Sequence, residues 1–254
     1  MFLACSAYAG TAPVASLIYS PDITLDLAGQ VTTNENAALD NRMGSVTLQD
    51  IGAIPPNANL TAYHRFDNGD QLLAFDITIE LPGAVIARPA DVVRRLANGT
   101  FSITFNGAAE GVPAGASIDA VSVDGNGDLL LSFDTTVSLD GLVAADEDVV
   151  RFDGAAFSLV FDGSVAGLAP AADLNAFHYA ADSGMIFASF DIGGTVDGIH
   201  FSDEDLLRYD PGTNSWTLAY DGSAEHLAWN AGDLDAVWVM FAAELIFKDG
   251  FETP

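Results

Sequence analysis

The sequence predicts an all-β protein: a four-bladed β-propeller with four-stranded antiparallel blades, closed by pairing of its N- and C-terminal strands. Three observations carry this prediction. A unit recurs every 57 or 58 residues. Each unit reads as four short strands bounded by turns, with no amphipathic, capped helix. The fourth unit is divided between the two termini.

The repeat is counted from its anchors, since a missed repeat misreads the whole fold. Asp91, Asp148 and Asp205 are spaced by 57 residues, and so are Arg94, Arg151 and Arg208. Ala74-Phe75-Asp76, Ser132-Phe133-Asp134 and Ser189-Phe190-Asp191 step by 58 and 57. Within one unit, Leu174–Tyr179 and Met185–Phe190 read as the first two strands around the turn Ala181-Asp182-Ser183-Gly184. Leu206–Tyr209 and Trp216–Tyr220 follow around Pro211-Gly212. Apolar runs of strand length bounded by Gly, Pro, Asn and Asp are the strand-and-turn signature. Four strands in roughly 40–60 residues is the size of a propeller blade.

The fourth unit supplies the closure. Ser20-Pro21-Asp22 lies 112 residues before Ser132-Phe133-Asp134, and Asn34-Glu35-Asn36 lies 112 before Asp146-Glu147-Asp148. The N-terminus thus provides strands two to four, at Val14–Ile23, Ala37–Asp40 and Val46–Gln49, and the C-terminus provides strand one, Leu234–Phe247. Pairing Leu234–Met240 with Ala15–Ser20 would remove two open sheet edges. Phe75, Phe133 and Phe190 are the expected core residues between blades.

Two resemblances sit in these residues. Leu207-Arg208-Tyr209-Asp210-Pro211 with Trp216 resembles the strand-three to strand-four hairpin of kelch-type blades. Asp119-Ala120 and Asp235-Ala236, each on a first strand, are similar to hemopexin-type four-bladed propellers. The hemopexin resemblance implies ions in the central channel.

Composition narrows the function classes. Thirty-six acidic residues against eight basic ones give a net charge of −28. That argues against nucleic acid and anionic membrane as partners, because both need a basic face. One cysteine, Cys5, excludes a disulfide framework and a cysteine metal site. No apolar run is long enough to span a membrane. Met1–Ala9, ending in Ala7-Tyr8-Ala9 before Gly10, reads as a truncated signal peptide, with a lipoprotein site at Cys5 as the alternative. Residues 10–247 form the expected domain, and residues 248–254 carry Asp249-Gly250-Phe251-Glu252, which resembles a tail of exported Gram-negative proteins. The expected location is exported: periplasmic, cell-surface or extracellular.

Several residue patterns bear on chemistry. The triplets Asp146-Glu147-Asp148 and Asp203-Glu204-Asp205 recur in the repeat, which favours a turn or edge device over a catalytic carboxylate pair. Arg94, Arg151 and Arg208 are expected to pair with Asp76, Asp134 and Asp191 of their own blades. Asp124-Gly125-Asn126-Gly127-Asp128 begins like a calcium loop but lacks its later positions, so it reads as a hairpin turn. On the first strands, one aligned position holds Thr61, Asp119, Asn175 and Asp235, and the position three residues later holds His64, Ser122, His178 and Trp238. The first set is the candidate metal site, for one Ca²⁺ or Na⁺ in the channel, because four oxygen-bearing side chains around an axis suit a hard cation. His64 and His178 lack a third transition-metal ligand. No nucleophile elbow, phosphate loop or zincin motif is present. The reading that follows is a monomeric, non-catalytic secreted or cell-surface module binding a glycan or protein, with a carbohydrate-active hydrolase and a purely structural exported module as alternatives.

Overall fold

The computed structural model describes residues 13–241. The leader read at Met1–Ala9, Cys5 and the tail 248–254 lie outside the described residues. Sixteen strands form four antiparallel four-stranded sheets. From the innermost strand outward, the closing blade is Leu234–Phe241, Val14–Pro21, Ala38–Asp40 and Val46–Leu48. The next is Leu60–Arg65, Gln71–Phe75, Asp91–Arg95 and Phe101–Asn106. Then come Ile118–Val123, Leu129–Phe133, Val149–Phe152 and Phe157–Phe161, and finally Leu174–Ala180, Met185–Phe190, Leu206–Asp210 and Ser215–Tyr220. Each innermost strand lies against those of both neighbouring blades, so the ring is complete. The terminal strands close it in antiparallel register, Leu17 opposite Val239 and Tyr19 opposite Val237.

Apolar burial explains why the blades stay together. Four hydrophobic clusters fill the molecule, and each draws on two adjacent blades. Phe133 packs with Leu72, Val92 and Phe105 of the preceding blade. Phe190 packs with Val149 and Phe161, and Phe75 with Ile18 and Trp238. All three phenylalanines are at most 2 % exposed. Burying such a ring is worth roughly 1.5–3 kcal/mol, and here the gain depends on the next blade being present.

Each blade also carries a feature the sequence reading passed over. Between strands two and three stands a short hairpin: Leu25–Leu27 with Gln30–Thr32, Ile79–Leu81 with Val85–Ala87, Val137–Leu139 with Leu142–Ala144, and Gly194–Val196 with Ile199–Phe201. Asp140-Gly141 and Asp197-Gly198 turn two of them with both φ values positive, the geometry that two-residue hairpin loops require. Among the described residues helix is confined to single turns at Gly222–Glu225 and Leu227–Ala231. No helix among the described residues is long and apolar enough to cross a membrane.

The recurrent acids turn out to be clamps. In three blades, the aspartate closing the triplet accepts two backbone N–H groups. Asp148 takes Gly163 at 3.0 Å and Ala145 at 2.9 Å, and Asp205 takes Gly222 at 3.1 Å and Ser202 at 2.8 Å. Asp91 takes Gly107 and Arg88, both at 3.1 Å. The glycines are forced by the close approach. A Cβ on Gly163 would sit 2.7 Å from the Glu147 carbonyl oxygen, and one on Gly107 would sit 2.3 Å from that of Ala90. The structural reading of the triplets therefore extends to a specific contact, the tie between the third strand and the loop leaving the outer strand.

The expected arginine partners are wrong. Arg94 donates to Asp70 at 2.7 Å, Arg151 lies 3.9 and 4.0 Å from Asp124 and Asp128, and the Arg208 guanidinium donates to Thr217. The cause is register. Arg94 stands opposite Leu72, near the start of its antiparallel neighbour, which puts it beside the Phe66–Asp70 turn, whereas Asp76 lies past the other end of that strand. Asp124 accepts the N–H groups of Asn126 and Asp128, so the calcium-like segment is a hairpin turn as expected.

Candidate functional site at the acid end of the axis

The four residues read from the sequence as a cation set share one structural position. In every blade the register between strands one and two slips by one residue near the start of strand one. The residue left without a partner is Thr61, Asp119, Asn175 or Asp235. A bulge bends its strand and redirects a side chain, which is why bulges recur beside functional sites.

The neighbourhood is built by a fourfold motif. The aspartate after strand two accepts the N–H of the residue preceding strand one: Asp76 from Asn59 at 2.7 Å, Asp134 from Ser117 at 2.7 Å, Asp191 from Asp173 at 3.0 Å and Asp22 from Asp233 at 2.6 Å. Backbone bonds then tie neighbouring blades, with Leu60 donating to Asn34, Ile118 to Pro89, Leu174 to Asp146 and Leu234 to Asp203. The Thr61 hydroxyl adds a 2.7 Å bond to the Ile118 carbonyl of the next blade. All these groups lie at the end of the axis where the inner strands begin.

Carboxylates concentrated there are costly to ionise. Burial, reinforced by the charges of Asp173, Asp134, Asp235 and Asp146, pushes the Asp119 carboxyl up to about 9. Asp235 is raised to about 7 by burial and by Asp22, Asp233 and Asp76, although the Asn59 amide donates to it. Asp173 is also raised to about 7, by burial and then by Asp146 and Asp191. Desolvation and like charge both disfavour the charged form.

Three oxygens in this region are buried with no hydrogen-bond donor: Asp119 Oδ2, Asn59 Oδ1 and Asp173 Oδ1. Buried acceptors are almost always satisfied, so these three oxygens, from three successive blades, are the unmet acceptors of this end. Asn59 and Asp173 were missed by the sequence reading. Their signal was the column Asn59, Ser117, Asp173, Asp233 just ahead of the first strands, which reads as turn residues. Of the predicted set, Thr61 and Asp235 already make hydrogen bonds, while Asp119 keeps a free oxygen. Among the described residues no three His, Cys, Asp or Glu side chains gather as a metal-ligating group. A hard cation placed here would need amide and hydroxyl oxygens beside the carboxylates.

Three exposed isoleucines stand at this end. Ile23, Ile77 and Ile192 are each 40–43 % exposed and directly follow the clamping aspartates Asp22, Asp76 and Asp191. Two surface clefts lie elsewhere. One is lined by Ile54, Glu80, Pro82 and neighbours, the other by Arg42, Phe187 and Arg208 among others, and neither contains an axial carboxylate.

Fold and site define the class: a four-bladed propeller with carboxylates gathered where its inner strands begin. The likeness to solved structures is distant. A structure described as YCF48 bound to D1 peptide aligns with 11 % identity and a TM-score of 0.36, over 78 % of this chain and 50 % of that one, so the chain spans half its length. Virginiamycin B lyase from Staphylococcus aureus aligns with 8 % identity and a TM-score of 0.35, over 84 % and 71 %. The extracellular domain of the putative hybrid two component system BT4673 from B. thetaiotaomicron aligns with 11 % identity and a TM-score of 0.35, over 84 % and 29 %. No family model and no curated protein matches the sequence.

Proposed function

We propose that the chain is a non-catalytic binding module that presents the acid end of its axis to a glycan or protein ligand, with a hard cation, Ca²⁺ or Na⁺, held by Thr61, Asp119, Asn175 and Asp235. The observation that supports it is the repetition of the end itself. The bulge and the clamping aspartate recur in all four blades. Recurring surfaces suit binding, in which several equivalent loops share one ligand. A cation there would relieve the repulsion that keeps Asp119 and Asp235 from ionising, and Asn59 and Asp173 would extend its oxygen shell. The net charge of −28 disfavours nucleic acid as the ligand. The reading also takes the protein to be monomeric and exported, on the leader-like Met1–Ala9 and the Asp249–Glu252 tail, with blades akin to the kelch and hemopexin types.

A second reading, a carbohydrate-active hydrolase, draws on one observation. A carboxyl with its pKa near 9 stays protonated at neutral pH, as a general acid must. Against it, neither cleft contains that carboxyl. A glycan and peptide array, screened with calcium and with EDTA, separates the readings. Calcium-dependent retention that is lost in Asp119→Ala supports the binding module. Release of reducing ends from a retained polysaccharide supports the hydrolase. Absence of retention on both arrays overturns the proposal in favour of a purely structural module.

A further inference from the structure

Each short hairpin leaves its blade at the end of strand two, so all four stand at the end of the ring where the inner strands begin. Their residues alternate. Leu25 and Leu27, Ile79 and Leu81, and Val137 and Leu139 are buried, while Asp26 and Val31, Glu80 and Ile86, and Ser138 and Val143 pair across the ladder on the exposed face. Val31, Ile86 and Val143 are 41–64 % exposed. With Ile23, Ile77 and Ile192 they put aliphatic side chains at recurring positions around this one end. A single exposed aliphatic needs no explanation, but recurrence in blade after blade does. Charge divides along the same line. Arg42, Arg65, Arg94, Arg95, Arg151 and Arg208 sit by the turns between strands one and two or three and four, at the other end of their strands. Among the described basic residues only Arg88 follows a hairpin, and it lies 3.7 Å from Asp91. The Arg94 guanidinium holds Asp70 below the usual carboxylate range. At the hairpin end burial, then neighbouring carboxylates, lift Asp22, Asp191 and Asp233 above it.

We propose that the hairpin end docks a protein partner that presents lysine or arginine beside aliphatic side chains; the proposal rests on the binding reading above and takes its ligand to be a protein rather than a glycan. Charge selects the sign of the partner. Carboxylates offset by no described cation but Arg88 attract a cationic surface, and they repel a second copy of a chain whose net charge is −28. Side-chain type selects its class. A sugar ring stacks its C–H face on an exposed aromatic ring, drawn by the negative face of the π-system. Among the described residues no aromatic side chain is as exposed as these aliphatics. Aliphatic contacts set among carboxylates suit a protein surface instead, whose apolar residues are covered at the centre of the contact while its cations meet acids at the edge.

The probe is a capped peptide of alternating lysine and valine, titrated into the full chain and followed by methyl NMR, first in EDTA and then with Ca²⁺. It is expected to shift the methyl signals of Ile23, Ile77, Ile192, Val31, Ile86 and Val143. Met43, 84 % exposed in the turn between strands three and four, serves as the reference that stays in place. A lysine–serine peptide is expected to bind at least ~10-fold more weakly, and a glutamate–valine peptide not to bind. Ile77→Ser combined with Ile192→Ser should weaken the lysine–valine peptide by a similar factor, and Met43→Ser should leave it unchanged. Equal affinity for the lysine–valine and lysine–serine peptides, shifts that include Met43, or unchanged affinity in the double isoleucine variant would overturn the proposal. The methyl map of the folded parent decides the matter even if the variant fails to fold. The cation can fail separately: a parent that takes the peptide equally in EDTA and Ca²⁺, and whose melting ignores Ca²⁺, keeps the docking surface and loses the ion. A parent retained on the glycan array that ignores the peptide overturns this inference and leaves the binding reading standing.

Discussion

Replacing Asp148 with alanine tests the clamp on which the account of the acidic triplets rests. Its side chain is buried, and its two oxygens accept the N–H groups of Gly163 and Ala145 at 3.0 and 2.9 Å. Truncation leaves both donors without an acceptor. Each buried, unsatisfied N–H costs about 1–3 kcal/mol, so the loss should be about 2–4 kcal/mol once partial access of water is allowed for. Nothing else can refill the gap cheaply, because Gly163 already sits against the Glu147 backbone. The assay is guanidinium unfolding followed by tryptophan fluorescence, with Asp146→Ala as the companion variant. Asp146 occupies the first position of the same triplet and adds to the charge felt by Asp119 and Asp173. Its removal should leave stability within about 0.5 kcal/mol of the parent or raise it, as expected for a half-buried acid among like charges. If Asp148→Ala costs less than about 0.5 kcal/mol, or if both variants lose the same amount, the triplet is not a clamp and its role must be sought in chemistry.

Two further outcomes follow from the packing and the titrating groups. Phe133→Ala empties the wedge between two blades and should cost about 3–5 kcal/mol in the same assay; a loss below about 1 kcal/mol would mean that the wedge does not depend on this ring. In EDTA, the denaturation midpoint should fall as pH rises from 6.5 to 9. Burial and like charge push Asp119, Asp173 and Asp235 up to about 9, 7 and 7 in the fold, against an ordinary carboxyl value of 3.8. The folded state therefore holds more protons in that window, and raising pH removes stability. The buried His64 and His178 act oppositely, but only below the ordinary imidazole value of 6.5, where the unfolded chain takes up protons that the fold excludes. Asp119→Asn should flatten the alkaline slope; a flat profile in the parent would contradict the raised carboxyls.

The sequence and the structure agree where a residue type repeats at fixed spacing. The Phe75, Phe133 and Phe190 column and the divided fourth unit carried the blade count and the closure, because both follow from packing each blade against the next. The hairpins between strands two and three escaped, although Asp140-Gly141 and Asp197-Gly198 are strong hairpin signals. Their arms are only three residues long, so no period-two pattern had room to develop. The arginine partners failed for another reason. Repeat alignment groups equivalent residues but does not say which end of an antiparallel neighbour lies alongside, and that register decides between Asp70 and Asp76. The candidate site was half legible. Thr61, Asp119, Asn175 and Asp235 line up in the repeat, whereas the orphaned oxygens of Asn59 and Asp173 depend on burial and on where donors fall, which repeat spacing does not encode.

Calcium titration against thermal unfolding addresses the central claim most directly. By mass action, a cation bound only to the folded state should raise the melting temperature as its concentration grows. The account predicts a rise for the parent with added Ca²⁺ at pH 8, at constant ionic strength, and no rise for the Asp119→Ala, Asp235→Ala double variant. A parent whose melting temperature ignores Ca²⁺ and Na⁺ alike, or a double variant that responds as the parent does, would contradict it.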